Sequence, residues 1–226
     1  ETHTYDRTDC IRCGECAEQC VTDALEKVGY LITVEDAIAE VMKDEVFYKN
    51  SGGGMTLSGG EPLMQYDFAL SLLKLAKEQG LHTAIETSGF TGRDLTELSQ
   101  YTDLWLYDIK LFPEDEHIKH TGVSNEKILE NLYMLDRMGA QIILRCPIIP
   151  KVNLTEKHFV ALAELSGRLK GVTAIHLEPY HPLGLSKAQQ LGKAQVYQND
   201  AFLEPSFIQP FADMLRAETK TEVIII

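Results

Sequence analysis

Short apolar runs alternate with longer amphipathic stretches along most of this 226-residue chain. Apolar runs at 55–58, 83–86, 104–109, 142–146, 174–178 and 222–226 have the length and character of strands buried in a sheet. Between them, apolar residues recur with the helical period over 33–43, 66–79, 125–138, 156–168 and 205–218. The first of these opens on Thr33-Val-Glu-Asp36, a capping-box pattern. The second places Phe68, Leu72, Leu75 and Ala76 on one face and stops at Gly80. The third does the same with Ile128, Leu132, Leu135 and Met138 and stops at Gly139.

Strand–helix alternation of this kind implies a parallel sheet covered by helices. An open doubly wound sheet and a β/α barrel both satisfy the pattern. The polar residues favour the second. They collect where the predicted strands end: Ser58 to Glu61, Glu86 to Ser88, Asp108 to Lys110, Arg145, and Glu178 to His181. That is the end at which β/α barrels build their active sites. The expected fold class is therefore α/β, a barrel or partial barrel over residues 31–226, preceded by a Cys-rich segment over residues 1–30.

Composition narrows the function classes. A hydrophobic content of 44% supports a real core, and a net charge of −13 argues against a general nucleic-acid binder, which needs clustered Lys and Arg. No apolar run approaches the roughly 20 residues that span a bilayer. The first residues, Glu1-Thr2-His3-Thr4, lack the layout of a signal peptide, so a cytoplasmic location is expected. The absence of an initiator Met leads to the expectation that the sequence starts inside a longer reading frame.

Four of the five cysteines lie in Cys10-Ile-Arg-Cys13-Gly-Glu-Cys16-Ala-Glu-Gln-Cys20. This C-x2-C-x2-C-x3-C spacing is that of bacterial ferredoxins, in which three thiolates wrap one cluster and the fourth serves a second. Gly14 permits the tight turn that such a loop needs. A zinc site is the alternative, although zinc sites usually pair two short elements across a longer loop. Val21 stands where proline usually follows, and only one such run is present. Cys146 stands alone in an apolar strand and reads as a core residue.

The most distinctive stretch is Ser51-Gly-Gly-Gly-Met-Thr-Leu-Ser-Gly-Gly-Glu-Pro62. Glycines at a strand end let a ligand approach the backbone and its N–H groups, and Glu61 offers an acceptor for an ammonium or hydroxyl group. No Gly-Lys-Ser/Thr closes the stretch, so it is not a nucleotide P-loop. Asp108 and Lys110 alternate along one strand face, where an ion pair is the plain reading.

The Gly-rich stretch, with Phe47-Tyr48 before it, resembles the glycyl-radical enzyme activating proteins of the radical S-adenosylmethionine (SAM) superfamily. The likeness continues in order through Ile85-Glu86-Thr87-Ser88-Gly89, Tyr107-Asp108-Ile109-Lys110, Ile143-Leu144-Arg145 and Leu177-Glu178-Pro179-Tyr180-His181. It implies a partial β/α barrel of the radical SAM type with a ferredoxin-like segment at its start. It implies that Ser58, Gly59, Gly60 and Glu61 contact the methionine moiety of SAM. Glu86, Thr87 and Asp108, with Lys110 nearby, would hold a monovalent cation and the cofactor carboxylate, although Glu86 replaces an Asp. Arg145 would neutralise carboxylate charge, His181 would reach the ribose or adenine, and Lys110 and Arg145 would serve catalysis. Cys10, Cys13, Cys16 and Cys20 are the expected metal ligands of [4Fe–4S] chemistry, the first three on one cluster and the fourth serving a second, as their spacing has it. The implied partners are a glycyl-radical enzyme as protein substrate and a flavodoxin or ferredoxin as electron donor. The family's catalytic C-x3-C-x2-C is not in the sequence, so the expectation is that this stretch alone does not cleave SAM. An electron-transfer module and a Schiff-base aldolase built on Lys110 are the competing readings.

Overall fold

The computed structural model describes residues 6–190, 197 and 199–226. Six strands, β1 (Gly54–Leu57), β2 (His82–Thr87), β3 (Leu104–Asp108), β4 (Ile142–Ile148), β5 (Val172–Pro179) and β6 (Glu222–Ile225), form one sheet. All neighbours are parallel, and their order in space is their order in the chain. A doubly wound sheet reverses its strand order part-way, whereas a barrel does not. The sequential order thus decides between the two architectures that periodicity left open. Strands β1 and β6 do not pair with each other, so the barrel is partial.

The helices are α1 (Glu15–Glu18), α2 (Val34–Val41), α3 (Glu45–Ser51), α4 (Tyr66–Glu78), α5 (Thr96–Ser99) and α6 (Glu114–Thr121). They continue with α7 (Glu126–Arg137), α8 (Glu156–Arg168), α9 (Gly184–Gln190) and α10 (Pro205–Glu218). Every strand predicted from the apolar runs is present, as are the five predicted helices. Thr33 caps α2 by accepting the Asp36 N–H at 3.1 Å, as the capping pattern requires. Helix α6 has no apolar stripe to betray it. It is set by the Gly122 stop at φ 84° and by buried His117, whose Nδ1 lies 2.7 Å from the Val123 carbonyl.

Burial alternates along the strands. In β4, Ile142, Leu144, Cys146 and Ile148 are fully buried, while Ile143, Arg145 and Pro147 are half-buried. In β3, Trp105 and Tyr107 are buried and Leu104, Leu106 and Asp108 are half-buried. One face therefore packs under helices, with Leu73, Leu132, Leu135, Phe159, Leu162 and Leu215 against it. Truncating such a leucine to alanine costs about 2–5 kcal/mol, so this face carries the stability. The other face stays open, which is unusual for a parallel sheet and supplies the concave surface of a partial barrel.

Residues 6–32 contain no buried residue, and only the single turn α1 is helical there. A segment without a core depends on covalent or metal cross-links for order. No helix among the described residues is long and apolar enough to cross a membrane.

Candidate active site

The C-terminal ends of β1, β2, β3, β4 and β5 bring the chemistry together. After β1 the chain turns through Ser58, Gly59 and Gly60, all exposed, with Gly59 at φ 120° and open space beside both glycines. Glu61 then starts a 3₁₀ turn (Pro62–Gln65), with Pro62 at its first position. The Glu61 carboxylate accepts four protein hydrogen bonds: from Leu63 N–H at 3.1 Å, the Thr87 hydroxyl, Ser88 N–H at 2.9 Å and the Ser88 hydroxyl at 2.6 Å. It is a clamp between the loop and the end of β2. Its acceptors are engaged by protein, and Ser58, Gly59 and Gly60 are the loop residues that face solvent.

Thr87 is buried and also engaged, donating to Glu61 and accepting Gly89 N–H at 2.9 Å. Gly89, at φ 73°, lets the chain turn here, and a Cβ on it would be driven into the Tyr107 hydroxyl. That hydroxyl donates to the Ile128 carbonyl at 2.6 Å. Desolvation, and then Glu61, raise the Tyr107 pKa far above its ordinary value, so the hydroxyl keeps its proton.

On the open face a charged chain crosses the strand ends. Ser58 Oγ donates to Glu86 Oε2 at 2.8 Å. Arg145 Nη1 meets Glu86 Oε1 at 2.7 Å, and Arg145 Nε donates to Glu178 Oε1. Strand register explains the assembly, since Asp108 pairs with Arg145 and Arg145 with His176, with Pro147 opposite Glu178. Asp108 lies beside them, with Lys110 Nζ 3.4 Å from its Oδ2. Burial raises the Asp108 pKa, Glu178 adds to the rise, and Lys110 and Arg145 oppose it. For Arg145, burial pulls the pKa down, but the Glu178 bond and the charges of Glu178, Glu86 and Asp108 outweigh it and raise it. Three carboxylates thus share two cations.

Beyond Lys110 opens a cavity of about 400 Å³, lined among others by Lys110, Pro147, Asn153, Tyr180, His181 and Tyr197. Buried Asn153 shapes one wall. Its Nδ2 donates to the carbonyls of Lys110 at 2.9 Å and Pro147 at 2.7 Å, and its Oδ1 accepts Ile149 N–H at 2.6 Å. Exposed His181 sits at the rim.

Sequence reasoning assigned no role to Glu178 or to Asn153. The strand-end position of Glu178 is a visible signal. Asn153 gives none, because its partners are backbone groups just after β3 and at the end of β4.

The sequence from residue 11 to 164 matches the Radical SAM superfamily. The chain is 38% identical over 226 residues to the isethionate sulfite-lyase activating enzyme of Oleidesulfovibrio alaskensis, covering 98% of this chain and 72% of that protein. It is 40% identical over 190 residues to the trans-4-hydroxy-L-proline dehydratase activating enzyme of Clostridioides difficile, covering 82% of this chain and 62% of that one. A solved domain of a pyruvate-formate lyase-activating enzyme from Bacteroides vulgatus matches with a TM-score of 0.64 at 26% identity, over 77% of this chain and 99% of that domain. The chain is a radical SAM protein of the glycyl-radical enzyme activating branch.

The family implies a [4Fe–4S] cluster and SAM: the strand-end groups fit SAM in their chemistry and the thiols of the Cys-rich loop are cluster-type ligands, whereas the C-x3-C-x2-C that would hold the SAM-cleaving cluster is not among these residues. Cys10 and Cys20 are half-exposed and Cys13 and Cys16 exposed, on a loop that passes through left-handed Arg12 and Gly14. Among the described residues no three metal-binding side chains stand close enough to hold a metal ion, so a cluster on these thiols would need the loop to close around it. Fully buried Cys146 belongs to the core. For SAM, with one carboxylate, one ammonium and one sulfonium, the open Gly59-Gly60 turn and the acidic excess of the strand-end array are complementary.

Proposed function

We propose that the protein activates a glycyl-radical enzyme, abstracting a hydrogen atom from a backbone glycine of that partner at the expense of SAM. The observation that carries this reading is the strand-end array from Ser58 to Glu178, lying on the open face of a barrel whose relatives are named as activating enzymes. When bound, a reduced [4Fe–4S] cluster supplies the electron that splits SAM into methionine and a 5′-deoxyadenosyl radical.

The protein's own groups bind and orient. The exposed amides of Gly59 and Gly60 and the Ser58 hydroxyl receive the methionine end, while Glu61 braces the loop from behind. Arg145 meets the cofactor carboxylate. Glu86 and Asp108 balance the ammonium and sulfonium charges and, with Thr87, hold a monovalent cation. Lys110 and His181, on the cavity rim, contact the ribose or adenine. The apolar walls of the cavity exclude water from the reacting atoms. Cys10, Cys13, Cys16 and Cys20 hold a cluster on the path from a flavodoxin- or ferredoxin-type donor.

Relatives act with an isethionate sulfite-lyase and a trans-4-hydroxy-L-proline dehydratase by name, so the partner class proposed is a glycyl-radical lyase or dehydratase. The reading is of the whole protein, cluster-loaded. The test is anaerobic reconstitution of full-length protein with iron and sulfide, followed by SAM, a reductant and a candidate partner. Formation of 5′-deoxyadenosine with a glycyl-radical doublet in the electron paramagnetic resonance spectrum is the expected result. Cluster-loaded protein that makes no 5′-deoxyadenosine would sink the reading.

A further inference from the structure

Arg145 is gripped from both sides by strands that are not each other's neighbours. From β5, Glu178 takes Nε. From β2, two strands away in the other direction, Glu86 takes Nη1 at 2.7 Å. Among the described residues, Nη2 is the guanidinium nitrogen without a protein acceptor. Nε is the donor nearest the chain, so a carboxylate on it fixes rotation of the planar guanidinium about its own axis. Glu86 uses its other oxygen to accept the Ser58 hydroxyl at 2.8 Å. Four side chains therefore run unbroken from the loop after β1 to the end of β5.

Glu178 is well mounted to anchor such a chain. It precedes Pro179, whose φ is fixed by its ring, and the next residue, Tyr180, donates its N–H to the Ile148 carbonyl at 3.0 Å. Its side chain is 22% exposed, against 21% for Arg145. Asp108 feels the charges of both Glu178 and Arg145, but its salt bridge is to Lys110, so it does not share the grip. A surface ion pair made only for stability has no need to reach a hydroxyl three strands away.

We propose that Glu178 is a positioning residue for SAM: by holding Arg145 Nε it turns Nη2 toward the open face, where it receives the cofactor carboxylate, and through Glu86 it orients the Ser58 hydroxyl of the methionine-binding loop. This rests on the reading of the strand ends as the SAM site. Glu178 touches no reacting atom in this scheme. Its effect reaches the cofactor through Arg145 and Glu86.

The test uses full-length, cluster-loaded protein without reductant, so that SAM binds but is not cleaved, with affinity read by calorimetry and folding by thermal melting. Glu178→Leu is expected to weaken SAM binding by about tenfold, the scale of one lost charge-assisted contact. Glu178→Gln keeps an oxygen acceptor for Nε and is expected to recover affinity to within about threefold of wild type. Ser58→Ala is expected to cost less in the Glu178→Leu background than alone, because the hydroxyl is already misaligned. Wild-type affinity in Glu178→Leu, equal losses in the Leu and Gln variants, or additive effects of Ser58→Ala and Glu178→Leu would each overturn the proposal. A fall in affinity that simply tracks the melting temperature across both Glu178 variants would overturn it as well. Wild-type protein that binds no SAM would overturn the site reading and this proposal together, whereas a binding wild type with an unaffected Glu178→Leu would overturn this proposal alone.

Discussion

The two ends of the sheet carry charged networks built from similar residues, and they are wired differently. At the N-terminal end, Lys77 from the last turn of α4 holds both oxygens of Asp103 at 2.8 Å. Asp103 Oδ2 also accepts Thr83 N–H at 2.9 Å, and the Thr83 hydroxyl lies 2.7 Å from the Tyr101 carbonyl. One anion meets one cation, and the remaining valences go to the backbone N–H and hydroxyl of Thr83. At the C-terminal end, Glu86, Asp108 and Glu178 share Arg145 and Lys110, and the array opens onto a concave face. The pair at the N-terminal end is more exposed, at 34% for each side chain, yet it is the closed one. A balanced, closed network staples strands. An unbalanced one on the open face has charge left over for a ligand.

The sharpest way to break this contrast is Gly89→Ala. The turn at Gly89 aims Ser88 at Glu61, so the ligand end does contain one structural joint. Left-handed backbone plus the collision with Tyr107 is expected to cost about 4 kcal/mol, read by chemical denaturation. A loss below about 1 kcal/mol would mean that the loop clamp is not rigid. Next comes Arg145→Leu, which leaves Glu86 and Glu178 facing each other without a cation. In the full-length enzyme, 5′-deoxyadenosine formation is expected to fall by about 100-fold, with melting less affected than by the glycine change. Asp103→Ala is the mirror experiment. It is expected to cost about 2 kcal/mol of stability while leaving SAM affinity within about twofold. If Asp103→Ala weakened SAM binding as much as Arg145→Leu, the division of labour between the two ends would fail.

The smallest effect concerns pH. His158, in α8 against Phe112 and Phe159, is buried with no partner for its Nε2. Desolvation lowers its pKa to about 4 from 6.5. The unfolded chain therefore binds the proton first, and its contribution to stability is whole above pH 6.5 and lost as pH falls toward 4. By pH 5.5 the loss is about 1 kcal/mol. His158→Leu should flatten that part of the stability profile, and an unchanged slope between pH 6.5 and 5 would show that the ring is not the group responsible.

What could be read from the residues in order was the set of elements and their chemistry. The apolar runs gave six strands because the face of each strand that packs under the helices must be apolar, wherever it lies in the fold. Glu156 to Arg168 was legible because its apolar face repeats with the helical period, whereas Glu114 to Thr121 was not, because His117 and a glycine stop hold it in place of a stripe. The spacing of Cys10 to Cys20 pointed to cluster-type ligands, and the role proposed for the Ser58-Gly59-Gly60-Glu61 turn came from its resemblance to a family motif, both being short stretches legible without the fold.

Tertiary structure decided the rest. Strand-end polar residues and the family resemblance favoured a partial barrel over a doubly wound sheet, and strand order fixed it. Only register placed Arg145, from β4, between Glu86 and Glu178, which lie 59 residues before it and 33 after it in the chain. Only folding showed that Glu61 braces its loop with four accepted hydrogen bonds, and that Asn153 ties the chain just after β3 to the end of β4. A sequence specifies which groups can hydrogen-bond. Which of them meet is set by long-range packing of the helices on one face of the sheet, and no local pattern encodes it.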